Sequence, residues 1–271
     1  MYTVFRELRK MSIVTSKEFF VDVDGGSIYI KKWIPDNPKY TSPIVLMHDS
    51  LGCVDLWRNF PEQLARSLSC VVIAYDRLGF GRSSVNKNIP SVNFIWDEAD
   101  FYFPHIKSAA QFSSYYLFGH SVGGAMSIGI AAVDKECIGV ITESAQAFVE
   151  ALTIKGIKEA EILFKLPEQM ERLNKWHGNK ARWVLSAWID VWLSSEFSSW
   201  SLQPRINKVT CPVLALHGDK DEYGSNAFPD YIVSNVAGKS TMIILKNCGH
   251  VPHKEKMDDV INHIRLFLFL A

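Results

Sequence analysis

Gly119-His120-Ser121-Val122-Gly123 is a G-x-S-x-G set, placed between an apolar run ending at Phe118 and a segment with helical spacing. A serine attacks a carbonyl only when its hydroxyl is exposed and a base can take its proton. The strand-to-helix turn that exposes such a serine is sharp, and glycines on either side leave room for the strained backbone. Five residues are too few to be specific alone. Position adds the weight, because the serine falls at the carboxyl end of a central strand, where open α/β sheets bind ligands. Ser121 is therefore the candidate nucleophile.

The base should be a histidine, and eight compete. His250 follows Asn247-Cys248-Gly249 directly after the last predicted strand, again at a carboxyl end. His253 is the nearest rival and reads as an exposed loop histidine. His48 and His120 flank the expected site as residues that orient backbone, while His105, His177 and His263 fall on predicted helices. The carboxylate that fixes the histidine tautomer is sought in Leu216-His217-Gly218-Asp219-Lys220-Asp221. Asp221 is favoured over Asp219 because G-x-x-D carries its side chain past the strand end, and Glu143 is a third possibility. The order serine, acid, histidine is one that open α/β hydrolytic sites use. Amides for a developing oxyanion are expected from Val122, at the start of a helix, and from Ser50 in His48-Asp49-Ser50-Leu51-Gly52, with Leu51 second.

Strands and helices must alternate to bring these loops to one edge. Short β-branched runs at 44–47, 70–75, 115–118, 138–142, 213–216 and 242–245 have the character of buried strands. Helices fit the gaps at 57–67, 97–112, 122–134, 229–236 and 257–270. Phe19 to Val23 and Ser27 to Trp33, joined through Asp24-Gly25-Gly26, read as an antiparallel hairpin. The alternation predicts a mostly parallel central sheet flanked by helices. Residues 1–145 and 208–271 form the two parts of this α/β core.

Between them, 146–207 lacks a strand and carries two helical patterns, Lys155 to Trp176 and Lys180 to Leu193. It reads as an inserted helical cap. Trp176, Trp183, Trp188, Trp192 and Trp200 all lie in it. Tryptophans of an insertion commonly fasten it to the core; the functional alternative is that Trp188 and Trp192 line a substrate pocket.

Lysine plus arginine and aspartate plus glutamate number 29 each, so no charge excess draws the chain to nucleic acid or an anionic membrane. A small-molecule substrate is the expected partner; the sequence leaves the oligomeric state open. Five cysteines without a C-x-x-C pair provide neither a disulfide framework nor a zinc spacing, which suits a reducing cytoplasm. Met1 to Phe20 lacks the apolar core of a signal peptide, and Leu266 to Leu270 is too short to span a bilayer and reads as the buried end of a last helix. No cofactor is expected: Asp76 to Ser83, DRLGFGRS, lacks the lysine of a phosphate loop and reads as a structural turn. No metal is expected either, because H-E-x-x-H is missing and the histidines scatter over different predicted elements.

Taken together, GHSVGG, YDRLGFGRS, LHGDKD and NCGH make the chain resemble the α/β-hydrolase superfamily from the strand before His48 to the final helix. The resemblance implies the α/β-hydrolase fold and a serine hydrolase with Ser121, Asp221 and His250 as its triad. It names no substrate, because esterases, lipases, thioesterases, amidases and carbon–carbon bond hydrolases share these motifs; the reading taken is a small, largely apolar ester or thioester cleaved through an acyl-enzyme at Ser121, with a carbon–carbon bond hydrolase or a small-ligand receptor on the same fold as alternatives. Ser121 argues against dehalogenases and epoxide hydrolases, which resemble the fold but use aspartate there. One departure stands out: the usual His-Gly of the oxyanion turn is His48-Asp49.

Overall fold

The computed structural model describes residues 12–270. The residues of the amino-terminal reading before Ser12, including Arg6, Arg9 and Lys10, lie outside the described part. The hairpin is longer than the pattern suggests. It pairs β1 (Val14–Val23) with β2 (Gly26–Pro35), Val23 opposite Gly26 across a two-residue turn in which Gly25 takes a φ of 89°. Then come β3 (Ile44–Met47), α1 (Phe60–Leu68), β4 (Val72–Tyr75), α2 (Phe94–Asp97), a π-helical turn, α3 (Phe103–Ala110), β5 (Tyr115–His120) and α4 (Val122–Val133). After β6 (Cys137–Glu143) the chain forms α5 (Ala151–Leu163), α6 (Pro167–His177) and α7 (Ala181–Trp192) before β7 (Val213–Gly218). It closes with α8 (Ala227–Asn235), β8 (Ser240–Leu245), α9 (Pro252–Glu255) and α10 (Met257–Leu270).

The eight strands form one sheet in the order β1-β2-β4-β3-β5-β6-β7-β8, antiparallel across β1, β2 and β4 and parallel from β4 onward. Side chains alternate across it. Val45 and Met47 enter one core with Ile73, Leu117 and α4, whereas Ile44 and Leu46 enter the other with Val72, Phe118 and α1. With both faces covered, β3, β4 and β5 are buried along their whole lengths, so they read as continuous apolar runs.

Two expectations are corrected. The stretch Lys155 to Trp176 is two helices, because Pro167 removes an amide hydrogen and disfavours helical geometry at Leu166, whose ψ is 127°. The apolar tail of α10 is only half buried: Leu268 packs inward, while Leu266 and Phe269 are 58% and 82% exposed. A helix presents one stripe to a sheet, and these two fall off it. No described helix is long and apolar enough to cross a membrane.

The helical insertion is tied to the loops after β3 and β4 at the corner between α6 and α7. His177 accepts the Gly81 amide at 2.9 Å and donates from Nε2 to the Leu51 carbonyl at 3.0 Å. Lys180 Nζ donates to the carbonyls of Gly81 and Ser83, each at 2.7 Å, and Trp183 Nε1 to that of Asn88 at 3.2 Å. His177 is thus a buried clasp.

Candidate active site

Ser121 stands between β5 and α4 with φ 56° and ψ −126°, a conformation L-residues rarely adopt. Its neighbours must be small. A Cβ on Gly119 would come within 2.2 Å of the Gly123 carbonyl oxygen, and one on Gly123 within 2.2 Å of that of Met47. The motif's glycines are therefore fixed by close backbone approach, and the sharp turn brings Ser121 to the floor of a cavity of about 170 Å³.

His250 lines the same cavity. Its Nδ1 donates to Asp221, 2.8 and 2.9 Å from the two carboxylate oxygens, leaving Nε2 as the nitrogen free to accept a proton. Asp221 also accepts the amides of Tyr223 and Gly224 at 2.8 and 3.1 Å. Burial opposes the charged forms of both partners, but their mutual hydrogen bond and attraction outweigh it. The His250 pKa is raised and that of Asp221 lowered. Asp219 makes no bond to His250; it accepts the Cys248 amide at 3.4 Å. The loop that carries His250 is held by Glu255, which accepts the Gly249 and Val251 amides at 2.8 and 3.3 Å.

The serine hydroxyl itself is engaged elsewhere. Its described hydrogen-bond partner is Gln146, with Nε2 at 3.0 Å and Oε1 at 3.3 Å, and no bond to His250 is formed. Gln146 sits in the loop after β6 and belongs to no motif. Its position three residues past the strand end, at the ligand edge of the sheet, was the one available signal.

Ser50 and Leu51 line the cavity beside Ser121. Among the described residues, the amides of Ser50, Leu51 and Val122 have no acceptor. His48 is buried and orients this turn, with Nε2 accepting the Arg77 amide at 3.1 Å and Nδ1 donating to the Asp49 carbonyl at 2.8 Å. The Asp49 side chain lies against Gly52, where an added Cβ would meet its Oδ1 at 2.0 Å. Trp188, Trp192, Ile157, Thr153, Glu222, Tyr223 and Val251 complete the wall. The remaining tryptophans of the insertion pack elsewhere: Trp183 on Phe80, Trp176 under Arg58, and Trp200 on Phe197.

His253 is not an exposed loop histidine. It is 2% exposed on α9, packs on Trp57 and Phe60, and sets Nδ1 2.6 Å from Glu143 Oε2. Glu143 thus points at His253 and away from His250. Burial raises the Glu143 pKa to about 7 and lowers that of His253 to about 3. His120 donates from Nε2 to the His250 carbonyl at 2.8 Å, fastening the serine turn to the histidine loop. Sequence scatter thus misleads, because His120, Glu143 and His253 bring donor atoms within 4.8 Å of one another, a set that could hold a divalent ion. The hydrogen bonds just given already occupy His253 Nδ1 and His120 Nε2.

Asp76 to Ser83 is a structural turn. Asp76 accepts the Val54 and Arg82 amides at 2.6 and 2.7 Å, and a Cβ on Gly81 would strike its carboxylate at 2.1 Å.

The family model described as "Alpha/beta hydrolase family" matches residues 44–263. No curated protein matches the sequence significantly. Among solved structures, a serine hydrolase involved in carbazole degradation superposes with a TM-score of 0.74 at 18% identity, over 95% of this chain and 100% of that one. A proline iminopeptidase from Mycobacterium smegmatis gives 0.71 at 17% identity, over 94% and 98% of the two chains. A carboxylesterase from Bacillus subtilis gives 0.69 at 17% identity, over 95% and 93%. Structures described as a serine hydrolase, a peptidase and a carboxylesterase, at such identities, convey the fold and leave the substrate to the site.

Proposed function

The chain belongs to the alpha/beta hydrolase family, and from that premise we propose that it is a serine hydrolase cleaving a small, largely apolar ester or thioester through an acyl-enzyme at Ser121. The observation that carries this reading is the His250–Asp221 pair, bonded at 2.8 Å, on the wall of the cavity that Ser121 floors.

In the proposed reaction the Ser121 hydroxyl turns to His250 Nε2 and gives up its proton as its oxygen attacks the carbonyl carbon. Asp221 holds Nδ1–H and stabilises the imidazolium that forms. The Val122 and Ser50 amides receive the oxyanion, aided by the start of α4. Collapse expels an alcohol or thiol, which takes the proton from His250. Water then attacks the acyl-enzyme by the same route and regenerates Ser121.

The apolar preference is supported by Leu51, Ile157, Trp188, Trp192 and Val251 around the cavity. About 170 Å³ is below the roughly 300–1,000 Å³ of sites for drug-sized ligands, which favours short acyl groups. The helices of 146–207 act in this reading as a cap that shapes the cavity. Five free cysteines, four of them buried, suit a reducing cytoplasm. A fluorophosphonate probe tests the reading directly: wild type should label at Ser121, Ser121→Ala should not, and an unlabelled wild type would refute it.

A further inference from the structure

Gln146 is 5% exposed and spends both amide atoms on one hydroxyl, that of Ser121. A carboxamide offers two N–H donors and two acceptor sites, so a single hydroxyl leaves half of them unused. On the same cavity wall Trp192 is 2% exposed, and its indole N–H has no partner among the described residues. That nitrogen is closed off from the cavity as well, so the Trp192 ring meets a ligand as an apolar surface. The Thr153 hydroxyl on the same wall is committed to the Tyr223 carbonyl at 2.6 Å. The unused half of the Gln146 amide is what remains to take a ligand oxygen. The charge of the oxygen follows from the rest of the lining. Asp49 and Glu222 face the cavity, and no lysine or arginine lines it, so an anionic acceptor is repelled.

On the Ser121 reading above, we propose that Gln146 is a specificity-determining residue that binds a neutral oxygen acceptor on the acyl chain, and that this binding frees the Ser121 hydroxyl for His250. His250 must serve the leaving atom, which leaves the amide to the acyl side. The substrate class is accordingly a short ester or thioester with an ether, keto, hydroxyl or amide oxygen near its scissile carbonyl. An acceptor seated on the spare N–H turns the amide toward the acyl chain and away from the Ser121 oxygen, which otherwise lies 3.0 Å from Nε2. The nucleophile is then released by the substrate that fits.

The test compares p-nitrophenyl methoxyacetate with p-nitrophenyl butyrate, which differ by one ether oxygen in place of a methylene. Each kcat/KM is divided by the hydroxide-catalysed rate of the same ester, removing intrinsic reactivity. Wild type should favour the methoxyacetate by about tenfold to a hundredfold, the range for one buried hydrogen-bonding group left unpaired. Gln146→Leu should abolish the preference, and Trp192→Phe, which keeps an aromatic ring on the wall, should leave it in place. Gln146→Leu should also label faster than wild type with a small fluorophosphonate, by roughly twofold to tenfold, because the competing hydrogen bond is gone. A normalised wild-type ratio within twofold of unity, a preference that survives Gln146→Leu, or slower labelling of that variant each overturns the proposal. Should Gln146→Leu misfold, Gln146→Met carries the same comparison. Labelling of wild-type Ser121 separates failure here from failure of the hydrolase reading.

Discussion

His250 with Asp221 and His253 with Glu143 are the same two functional groups, their histidines three residues apart, yet their pKa values are driven in opposite directions. In the first pair the imidazole pKa is raised and the carboxylate lowered; in the second the imidazole falls to about 3 and the carboxyl rises to about 7. Burial opposes charge in both. At Asp221 the hydrogen bond and charge of His250, followed by His217 and the Tyr223 amide, outweigh burial, whereas at Glu143 burial prevails over the histidines around it, and Oε1 has no partner among the described residues. A histidine beside a carboxylate is therefore no sign of a charged pair. The balance between burial and everything that faces the carboxylate decides.

The largest expected effect comes from removing what the first pair serves. Ser121→Ala should lower turnover by roughly 10⁴ to 10⁶ with the fold intact by circular dichroism. Retention of a tenth of wild-type activity would end the assignment. Asp221→Asn comes next, at about 10³ to 10⁴ in kcat, because an amide favours the wrong imidazole tautomer. Asp219→Asn should cost less than about tenfold, since Asp219 does not touch His250.

The pH profile sharpens the comparison. In the proposed reaction His250 works as a base only when neutral, so a raised pKa should set the acid limb of kcat/KM above the usual imidazole value of about 6.5, with activity lost as pH falls through it. The carboxylate is what raises that pKa. Removing it in Asp221→Asn should move the limb to lower pH, and a limb that stays put would mean another group controls it.

The second pair predicts near silence. Glu143→Gln keeps a neutral polar group against His253, so kcat/KM should change by less than about threefold and the acid limb should not move. A loss comparable to that of Asp221→Asn would erase the distinction between the pairs. Smallest in rate is Trp188→Ala, which should shift the preferred acyl chain to longer members of a p-nitrophenyl series and leave labelling of Ser121 nearly unchanged. Longer chains gain up to about fourfold per buried methylene.

Much of this was legible in the residues. Continuous apolar runs such as Ile44 to Met47 announce strands covered on both faces, and G-x-S-x-G announces a turn that only glycine can flank. Asp221 followed from its distance past the strand end. His253 did not, because its burial depends on Trp57 and Phe60, which arrive from a different element some 190 residues earlier. Gln146 was silent for a similar reason: a loop glutamine has no pattern, and only the turn of Ser121 gives it a partner. The break at Leu166-Pro167 hides inside a stretch of helical apolar spacing, where the backbone before proline resists the helix regardless of side chains.

The clasp between α6 and α7 bears on time. His177, Lys180 and Trp183 fix the insertion to the turns beneath it through five hydrogen bonds at 2.7 to 3.2 Å. A lid that swings as a rigid body moves in microseconds to milliseconds and can set the pace of turnover. An insertion pinned this way leaves traffic to the rotamers of half-buried Trp188 and its neighbours, which relax in picoseconds to nanoseconds where exposed. On the proposed mechanism entry and exit should then outpace acyl transfer, and kcat/KM should hold constant as solvent viscosity is raised; a proportional fall would show that the insertion moves.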